Sequence, residues 1–212
     1  MKESGNMKVS VSVLSSYDNL EESIKKVNKT SADFLHVDVM DGKFVPDTKF
    51  DYDTCYDVKK LSTKKIDMHL MVNDINTVIR YASLKPYYLT FHVEILKDIE
   101  VIKYIKKLDI KVGLAINPET RVEKLIPYLK EIDLILFMSV SPGRGGQKFK
   151  DSTVNKIKKI RSVLPSNVLI SIDGGVNDKT LEKVKEAKCD MLVSGSYITS
   201  SDDYEKRVLS LK

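Results

Sequence analysis

The chain has 212 residues, a formal net charge of +5, 42% hydrophobic and 31% charged residues, which is typical of a globular protein. We therefore predict a single domain over residues 1–212. The lysines are scattered and form no dense basic arm with interleaved aromatic residues, which argues against nucleic-acid binding.

Three further features predict a cytoplasmic protein that is not bound to a membrane. The N-terminal segment MKESGNMKVS lacks the apolar core of a signal peptide, and no run approaches the roughly 18 apolar residues of a membrane span. Cys55 and Cys189 form neither a CxxC pair nor a disulfide framework, as expected in a reducing compartment.

Short β-branched runs alternate with longer amphipathic segments along the chain. Most of the runs are apolar on both faces, as in parallel strands covered by helices. Eight such units predict an α/β protein with the (β/α)8 TIM barrel fold; a doubly wound open sheet is the alternative on pattern alone. The predicted strands are 9–14, 34–39, 65–70, 88–93, 111–116, 134–140, 168–172 and 191–194. The predicted helices are 20–27, 54–61, 75–84, 99–108, 122–132, 154–163, 181–187 and 203–211.

Histidines and aspartates occur at the carboxyl ends of three predicted strands. His36 and Asp38 lie two positions apart, so they share one face of the second strand. The third strand ends near His69 and the seventh at Asp173. The ends of parallel strands gather on one rim of a barrel, where two imidazoles and two carboxylates could bind Zn²⁺, Fe²⁺, Mn²⁺ or Co²⁺. Taken singly, each residue is better explained as a core histidine or a capping aspartate.

Glycine-rich loops follow the last three predicted strands, with the sequences SPGRGGQKF, DGGV and SGS. Glycine permits close backbone approach and leaves amide groups free to hold an anion. Loops after the seventh and eighth strands of a barrel commonly bind phosphate. The loops therefore predict a phosphorylated substrate, although Gly174, Gly175 and Gly195 could also serve only to shape tight turns.

The chain resembles the ribulose-phosphate 3-epimerase family over nearly its whole length. The matching segments, in the family's order, are VSVLSS, LHVDVMDGKFVPDTKF, DMHLMV, FHVE, GLAINPET, FMSVSPGRGGQKF, ISIDGGV and SGSYI. The resemblance implies a (β/α)8 barrel of the pentose phosphate pathway that interconverts D-ribulose 5-phosphate and D-xylulose 5-phosphate. It also implies one divalent metal ion per subunit, with zinc the first expectation, and a homo-oligomer.

The resemblance assigns roles to individual positions. It implies that His36, Asp38, His69 and Asp173 bind the metal, with Asp38 the usual proton acceptor and Asp173 the donor. Residues 143–147 would form a flap over the substrate, and the loops after the last two strands would hold its phosphate. The implied substrate contacts are Ser12, Met40, His69, Met71, Met138, Gly143, Gly145, Gly146, Gln147, Gly174, Gly175, Gly195 and Ser196. Without the family, the methionines would be taken as plain core residues.

Three positions depart from the family's pattern. Val11 stands where the family usually has proline, Arg144 replaces an aromatic residue of the flap, and residues 47–53 replace a loop with a Gly-Pro pair. We expect Arg144 to point to water rather than to the phosphate. The rival interpretations are an allulose-6-phosphate 3-epimerase on the same scaffold and a non-catalytic barrel. A decarboxylase or aldolase relative usually carries DxKxxD, whereas this chain reads DVMDG.

Overall fold

The computed structural model describes residues 7–144 and 146–212, and in this part of the chain eight parallel strands close into a barrel. The pairing order is β1-β9-β8-β7-β6-β5-β4-β2, and β1 also pairs with β2. A ninth, short strand, β3, pairs antiparallel with the end of β2. The strands are β1 Lys8–Ser12, β2 Phe34–Asp41, β3 Thr48–Lys49, β4 Lys65–Met71, β5 Tyr88–His92, β6 Lys111–Ile116, β7 Leu134–Met138, β8 Leu169–Asp173 and β9 Met191–Ser194.

Helices connect the strands and cover the outside of the barrel. Aspartates begin several of them: the Asp51 carboxylate accepts a hydrogen bond from the Thr54 amide at 2.9 Å, and Asp203 does the same for Lys206. None of the helices within the described ranges is long and apolar enough to span a membrane. The helices are α1 Leu20–Asn28, α2 Tyr52–Leu61, α3 Ile75–Ala82, α4 Glu100–Lys106, α5 Ser152–Arg161, α6 Leu181–Glu186, α7 Ser196–Thr199 and α8 Tyr204–Leu209.

The prediction of a closed barrel is confirmed, because β1 pairs with both β9 and β2. An open sheet would leave β1 or its neighbour as an edge strand. The pairing also fixes the height of the functional residues: Ser12 lies opposite His36, and Asp38 lies opposite His69.

Side chains alternate between the two faces of each strand, so they form one apolar cluster outside the barrel and another inside it. One set of side chains, such as Leu35, Val37 and Val39 on β2, packs outward in a large apolar cluster with the helices. The other set points into the barrel, where Phe34 and Tyr88 contribute to a smaller apolar cluster. The inward positions further along β2 are His36, Asp38 and Met40. The barrel interior therefore becomes polar toward the carboxyl ends of the strands.

One predicted helix is wrong in type. Residues 122–132 were expected to form an α-helix, but the structure has a 3-10 segment, Val122–Tyr128. Pro127 lies inside this segment, lacks a backbone N–H and would clash with the preceding turn of an α-helix. The other predicted helices and all eight predicted strands are present, with ends that differ by a few residues.

Candidate active site

The four residues predicted to bind a metal lie together at the carboxyl-end rim of the barrel. His36, Asp38, His69 and Asp173 each offer a ligand atom, and these atoms lie within 4.8 Å of one another. The first three side chains are buried, whereas Asp173 is partly exposed. Three strands, β2, β4 and β8, supply them, so the cluster exists only once the barrel has closed.

The His36 ring is oriented by a carboxylate beneath it. Nδ1 lies 2.8 Å from Oδ2 of Asp67, and the same oxygen accepts a hydrogen bond from the Ser10 hydroxyl at 2.8 Å. A carboxylate can only accept, so Nδ1 carries a proton, and in the neutral ring Nε2 keeps its lone pair. Nε2 is buried, lies 3.3 Å from Oδ1 of Asp38, and has no hydrogen-bond partner among the described residues.

Asp38 lies at the centre of the cluster. Its Oδ2 accepts a hydrogen bond from the Ser12 hydroxyl at 2.7 Å, and its Oδ1 lies 3.2 Å from Nδ1 of His69. Burial opposes ionisation of Asp38, but the positive charge that His36 and His69 carry when protonated lowers its pKa well below the usual range. Asp38 is therefore ionised at neutral pH and suited to accept a proton or bind a cation.

Asp173 has the opposite electrostatic character. Burial, together with the charge of Asp38, raises its pKa to about 6. In His36, burial disfavours the charged ring, but the carboxylates of Asp38 and Asp67 raise the pKa well above the usual value. Two neighbouring carboxyl groups whose pKa values differ in this way are typical of an acid and a base that act as a pair.

The cluster has the chemistry of a divalent metal site. Neutral imidazole nitrogens and carboxylate oxygens are the usual ligands of Zn²⁺, Mn²⁺, Fe²⁺ and Co²⁺. The unpartnered Nε2 of His36 points to such a ligand role, because a buried polar nitrogen ordinarily has a partner. Negative potential at the cluster, which raises the pKa of His36, would equally favour a bound cation.

An open cavity adjoins the cluster and contains most of the predicted substrate contacts. Asp38 and Asp173 line one side of it. Met40 and His69 are not among the lining residues found in the described chain. Both are buried, and Met40 packs with Val45 and Met71. Gly145 lies outside the described residues. The predicted contacts that line the cavity are Ser12, Met71, Met138, Gly143, Gly146, Gln147, Gly174, Gly175, Gly195 and Ser196.

The flap predicted at residues 143–147 borders this cavity. The Gln147 side-chain amide donates to the carbonyls of Ser141 at 2.6 Å and Arg144 at 2.8 Å, which closes the segment on itself. The Arg144 side chain is exposed while the residue also borders the cavity. Gly175 has a φ of +63°, and a Cβ there would lie 2.7 Å from the Gln147 carbonyl oxygen. Glycine at 175 therefore permits close contact between the flap and the loop after β8.

Residues 47–53, which depart from the family's pattern, are built into the fold. Thr48 and Lys49 form β3, and Asp51 caps α2. Phe50 is buried and makes an edge contact with the Tyr17 ring, with a centroid distance of 4.9 Å. The segment thus joins β2 to α2 beside the rim of the barrel.

Three buried or partly buried groups around the cluster were not identified from the sequence. Asp67 orients His36, as described above. His92, at the end of β5, places Nε2 2.9 Å from Nε2 of His69, and its Nδ1 lies 3.2 Å from Oε2 of Glu94. The strand alternation carried a signal, because Asp67 and His69 share one face of β4 and His92 ends the next strand. The pairing of the two rings depends on their heights in the barrel, which the sequence does not give.

Comparisons with solved structures agree with the barrel fold. The chain superposes on the KGPDC of Streptococcus mutans with a TM-score of 0.70, 13% identity, and coverage of 97% of this chain and 95% of that one. For the N-(5'-phosphoribosyl)anthranilate isomerase of Pyrococcus furiosus the TM-score is 0.68, with 15% identity and coverage of 97% and 96%. At these identities the likeness shows the fold alone.

Fold and site together define an enzyme of the TIM barrel class, with an acidic, histidine-containing centre at the carboxyl ends of its strands. Residues 8–199 match the model of the ribulose-phosphate 3 epimerase family. The chain is 38% identical to the ribulose-phosphate 3-epimerase of Helicobacter pylori, covering 97% of both proteins. It is 34% identical to that of Bacillus subtilis, covering 97% of this chain and 98% of the relative. The chain belongs to the ribulose-phosphate 3-epimerase family, as its motifs predicted.

Proposed function

We propose that this enzyme interconverts D-ribulose 5-phosphate and D-xylulose 5-phosphate by moving the proton at C3, a reaction of the pentose phosphate pathway. The observation that supports this most directly is the pair Asp38 and Asp173, two carboxyl groups with opposite pKa shifts beside one cavity. Inversion at a carbon next to a ketone needs one group to remove a proton and a second to return it on the other face.

In the proposed reaction Asp38 accepts the proton from C3 of ribulose 5-phosphate, and the C3–H electron pair moves into a cis-enediolate. Asp173, protonated at the start, donates its proton to the opposite face of C3. The two residues exchange roles in the reverse direction. Because Asp38 comes from β2 and Asp173 from β8, they can approach a substrate carbon from different sides.

The proposed metal ligands are His36, Asp38, His69 and Asp173, one divalent ion per subunit. A divalent cation held there would act as a Lewis acid toward the negative charge that develops on the C2 and C3 oxygens. Loss of comparable electrostatic stabilisation typically costs about a hundredfold or more in rate. Zinc is the first candidate, and Fe²⁺, Mn²⁺ and Co²⁺ are alternatives.

The remaining cavity residues would bind and enclose the substrate. Backbone amides around Gly174, Gly175 and Gly195, together with Ser196, are suited to the phosphate. Ser12 and the methionines 71 and 138 would border the reacting carbons, and the flap would exclude water from the enediolate. Met40 would affect the substrate only indirectly, because it packs against Met71 and Val45.

The deciding experiment is a coupled assay on D-ribulose 5-phosphate, run in parallel with allulose 6-phosphate. The enzyme is assayed as purified, after chelation, and after reloading with each candidate metal, with metal content measured by elemental analysis. We expect rapid conversion to xylulose 5-phosphate, lost on chelation and restored by one or more metals. Preference for allulose 6-phosphate would mean that the proposed substrate is wrong, while the proposed acid–base mechanism would still apply. Failure with both sugars in metal-loaded protein would favour the non-catalytic barrel.

A further inference from the structure

A chain of hydrogen bonds connects one proposed metal ligand to a carboxylate that does not belong to the cluster. Nε2 of His69 lies 2.9 Å from Nε2 of His92, and Nδ1 of His92 lies 3.2 Å from Oε2 of Glu94. Both rings are fully buried. Within the described residues, the hydrogen-bond connection from Glu94 to His69 therefore runs through the His92 ring.

The donors and acceptors in this chain can be assigned from its carboxylate end. Glu94 can only accept, so Nδ1 of His92 carries a proton, and Nε2 of the neutral ring then has a lone pair. Two ring nitrogens 2.9 Å apart share one proton, which must lie on Nε2 of His69. Nδ1 of His69 is then unprotonated and faces the cluster.

Asp38 favours the other tautomer of His69, with the proton on Nδ1. Its Oδ1 lies 3.2 Å from Nδ1 of His69 and would be satisfied by a proton on that nitrogen. Such a proton would block the lone pair that a metal ligand needs. His36 avoids this conflict, because Asp67 binds its Nδ1 directly and leaves Nε2 free. Among the described residues, no carboxylate contacts Nε2 of His69 directly, and His92 with Glu94 supplies one indirectly.

We propose that Glu94 and His92 are positioning residues that hold the proton of His69 on Nε2 and so keep Nδ1 free to bind the metal. The inference rests on the metal centre proposed above and extends it. Outer carboxylates that fix the tautomer of a metal-binding histidine typically change metal affinity by 10–100-fold when they are removed.

The surroundings of Glu94 fix its role as an acceptor at both oxygens. Its Oε1 accepts the backbone N–H of Asn117 at 3.0 Å, a donor that cannot become an acceptor. The loop that carries Asn117 is itself held by the Lys156 ammonium, which donates to the carbonyl oxygens of Asn117 at 3.3 Å and Thr120 at 2.6 Å. A glutamine at 94 would therefore give its oxygen to Asn117 and turn its amide group toward His92.

The first test is Glu94→Gln, which keeps the shape of the side chain. The glutamine amide would donate a hydrogen bond to Nδ1 of His92, whereas in the wild type Nδ1 donates to the carboxylate. We expect Zn²⁺ affinity, measured by competition with a chromophoric chelator, to fall 10–100-fold relative to the wild type. The matched control is Glu119→Gln, because Glu119 is an exposed residue of the neighbouring loop whose carboxylate pairs with Lys150 at 2.7 Å. Its affinity should equal that of the wild type.

The second test distinguishes a relay from a general structural effect. His92→Phe removes both ring nitrogens, and the double variant with Glu94→Gln should bind Zn²⁺ no more weakly than His92→Phe alone, because the carboxylate acts only through the ring. With three histidines in the chain, long-range ¹H–¹⁵N spectra of the Zn²⁺-loaded wild type can assign each ring. We expect the His92 proton on Nδ1. Circular dichroism verifies that each variant is folded.

Three results would overturn the relay: unchanged Zn²⁺ affinity in folded Glu94→Gln, additive losses in the double variant, or a His92 proton on Nε2 in the wild type. Absence of Zn²⁺ binding in both the wild type and Glu119→Gln would instead refute the metal centre and the relay with it. The two failures are thus distinguishable.

Discussion

Two aspartates of the same cluster have opposite protonation preferences, and the difference follows from their neighbours. Asp38 lies beside the His36 ring and accepts a hydrogen bond from the Ser12 hydroxyl, and both favour its charged form. Burial, together with the charge of Asp38, raises the pKa of Asp173 to about 6. The ionised Asp38 can act as the base, and the raised pKa of Asp173 makes its protonated form far more accessible near neutral pH than that of an ordinary carboxyl group, as the proposed epimerisation needs.

Replacing Asp173 with asparagine should abolish turnover and stabilise the metal-free fold. An amide cannot transfer the proton, so we expect kcat to fall at least a hundredfold. Folding raises the pKa of Asp173, so its ionisation opposes folding as pH rises from about 4 through 6. At pH 7, Asp173→Asn should therefore be about 1–2 kcal/mol more stable than the chelator-treated wild type.

Urea unfolding at several pH values, together with the coupled assay, measures both effects. The stability difference should disappear below about pH 4, where the carboxyl group is protonated in both the folded and unfolded states. Asp178→Asn, an exposed position in the same loop, is the control and should change neither quantity. Ordinary turnover in Asp173→Asn would remove this residue from the mechanism.

At the scale of elements, strand alternation explains why so much could be predicted. A parallel strand with one apolar face and a polar end, such as β2, can be predicted from sequence because its side chains alternate between two faces with a period of two. The helix at 122–132 was mispredicted because hydrophobic spacing outweighed Pro127. The strand β3, Thr48–Lys49, has only two residues and no pattern of its own. His92 was passed over because its partner, His69, comes from a different strand.

The contact between the flap and the loop after β8 provides a test of the phosphate site. At Gly175 a Cβ would meet backbone atoms, the Gln147 oxygen at 2.7 Å and the Phe149 nitrogen at 2.8 Å. Rotation of a side chain cannot relieve this, so Gly175→Ala should displace the flap. We expect KM for ribulose 5-phosphate to rise roughly tenfold, with a smaller change in kcat.

The matched control for the flap is Gly42→Ala. Gly42 has a similar φ of +72°, but its Cβ would meet only the Thr48 hydroxyl, a side-chain atom that can move. Both variants carry the strain of alanine at positive φ, about 1 kcal/mol, and Gly175→Ala should lose more thermal stability because its Cβ also meets backbone atoms. Only Gly175→Ala should raise KM. An equal KM in Gly175→Ala and the wild type would argue against a substrate role for this loop.

For the whole molecule, closure of the barrel assembles the candidate centre from distant parts of the chain. Residues from β1, β2, β4, β5 and β8 meet at one rim, and the sequence predicted the meeting of the β2, β4 and β8 residues from topology rather than from local spacing. Subunit association and cellular location have no comparable signature in the barrel itself. The homo-oligomer and the cytoplasmic location stay predictions.

Because the proposed ligands come from three strands, a metal ion should stabilise the whole fold. The ligand atoms converge only in the native state, so the unfolded chain would bind the ion less well. At a free metal concentration a hundred times Kd the gain is about 2.7 kcal/mol. For a chain of this size that corresponds to an increase in Tm of roughly 5–10 °C.

Differential scanning fluorimetry with and without Zn²⁺ or Mn²⁺ measures this increase. His69→Ala removes one ligand from the cluster and should reduce the metal-dependent increase to near zero, whereas Glu119→Gln should keep it. Chelation should lower the Tm of the wild type to that of the metal-free protein, because the stabilisation depends on free metal. An equal increase in His69→Ala and the wild type would mean that the metal binds elsewhere, and the four-residue centre would then be the wrong site.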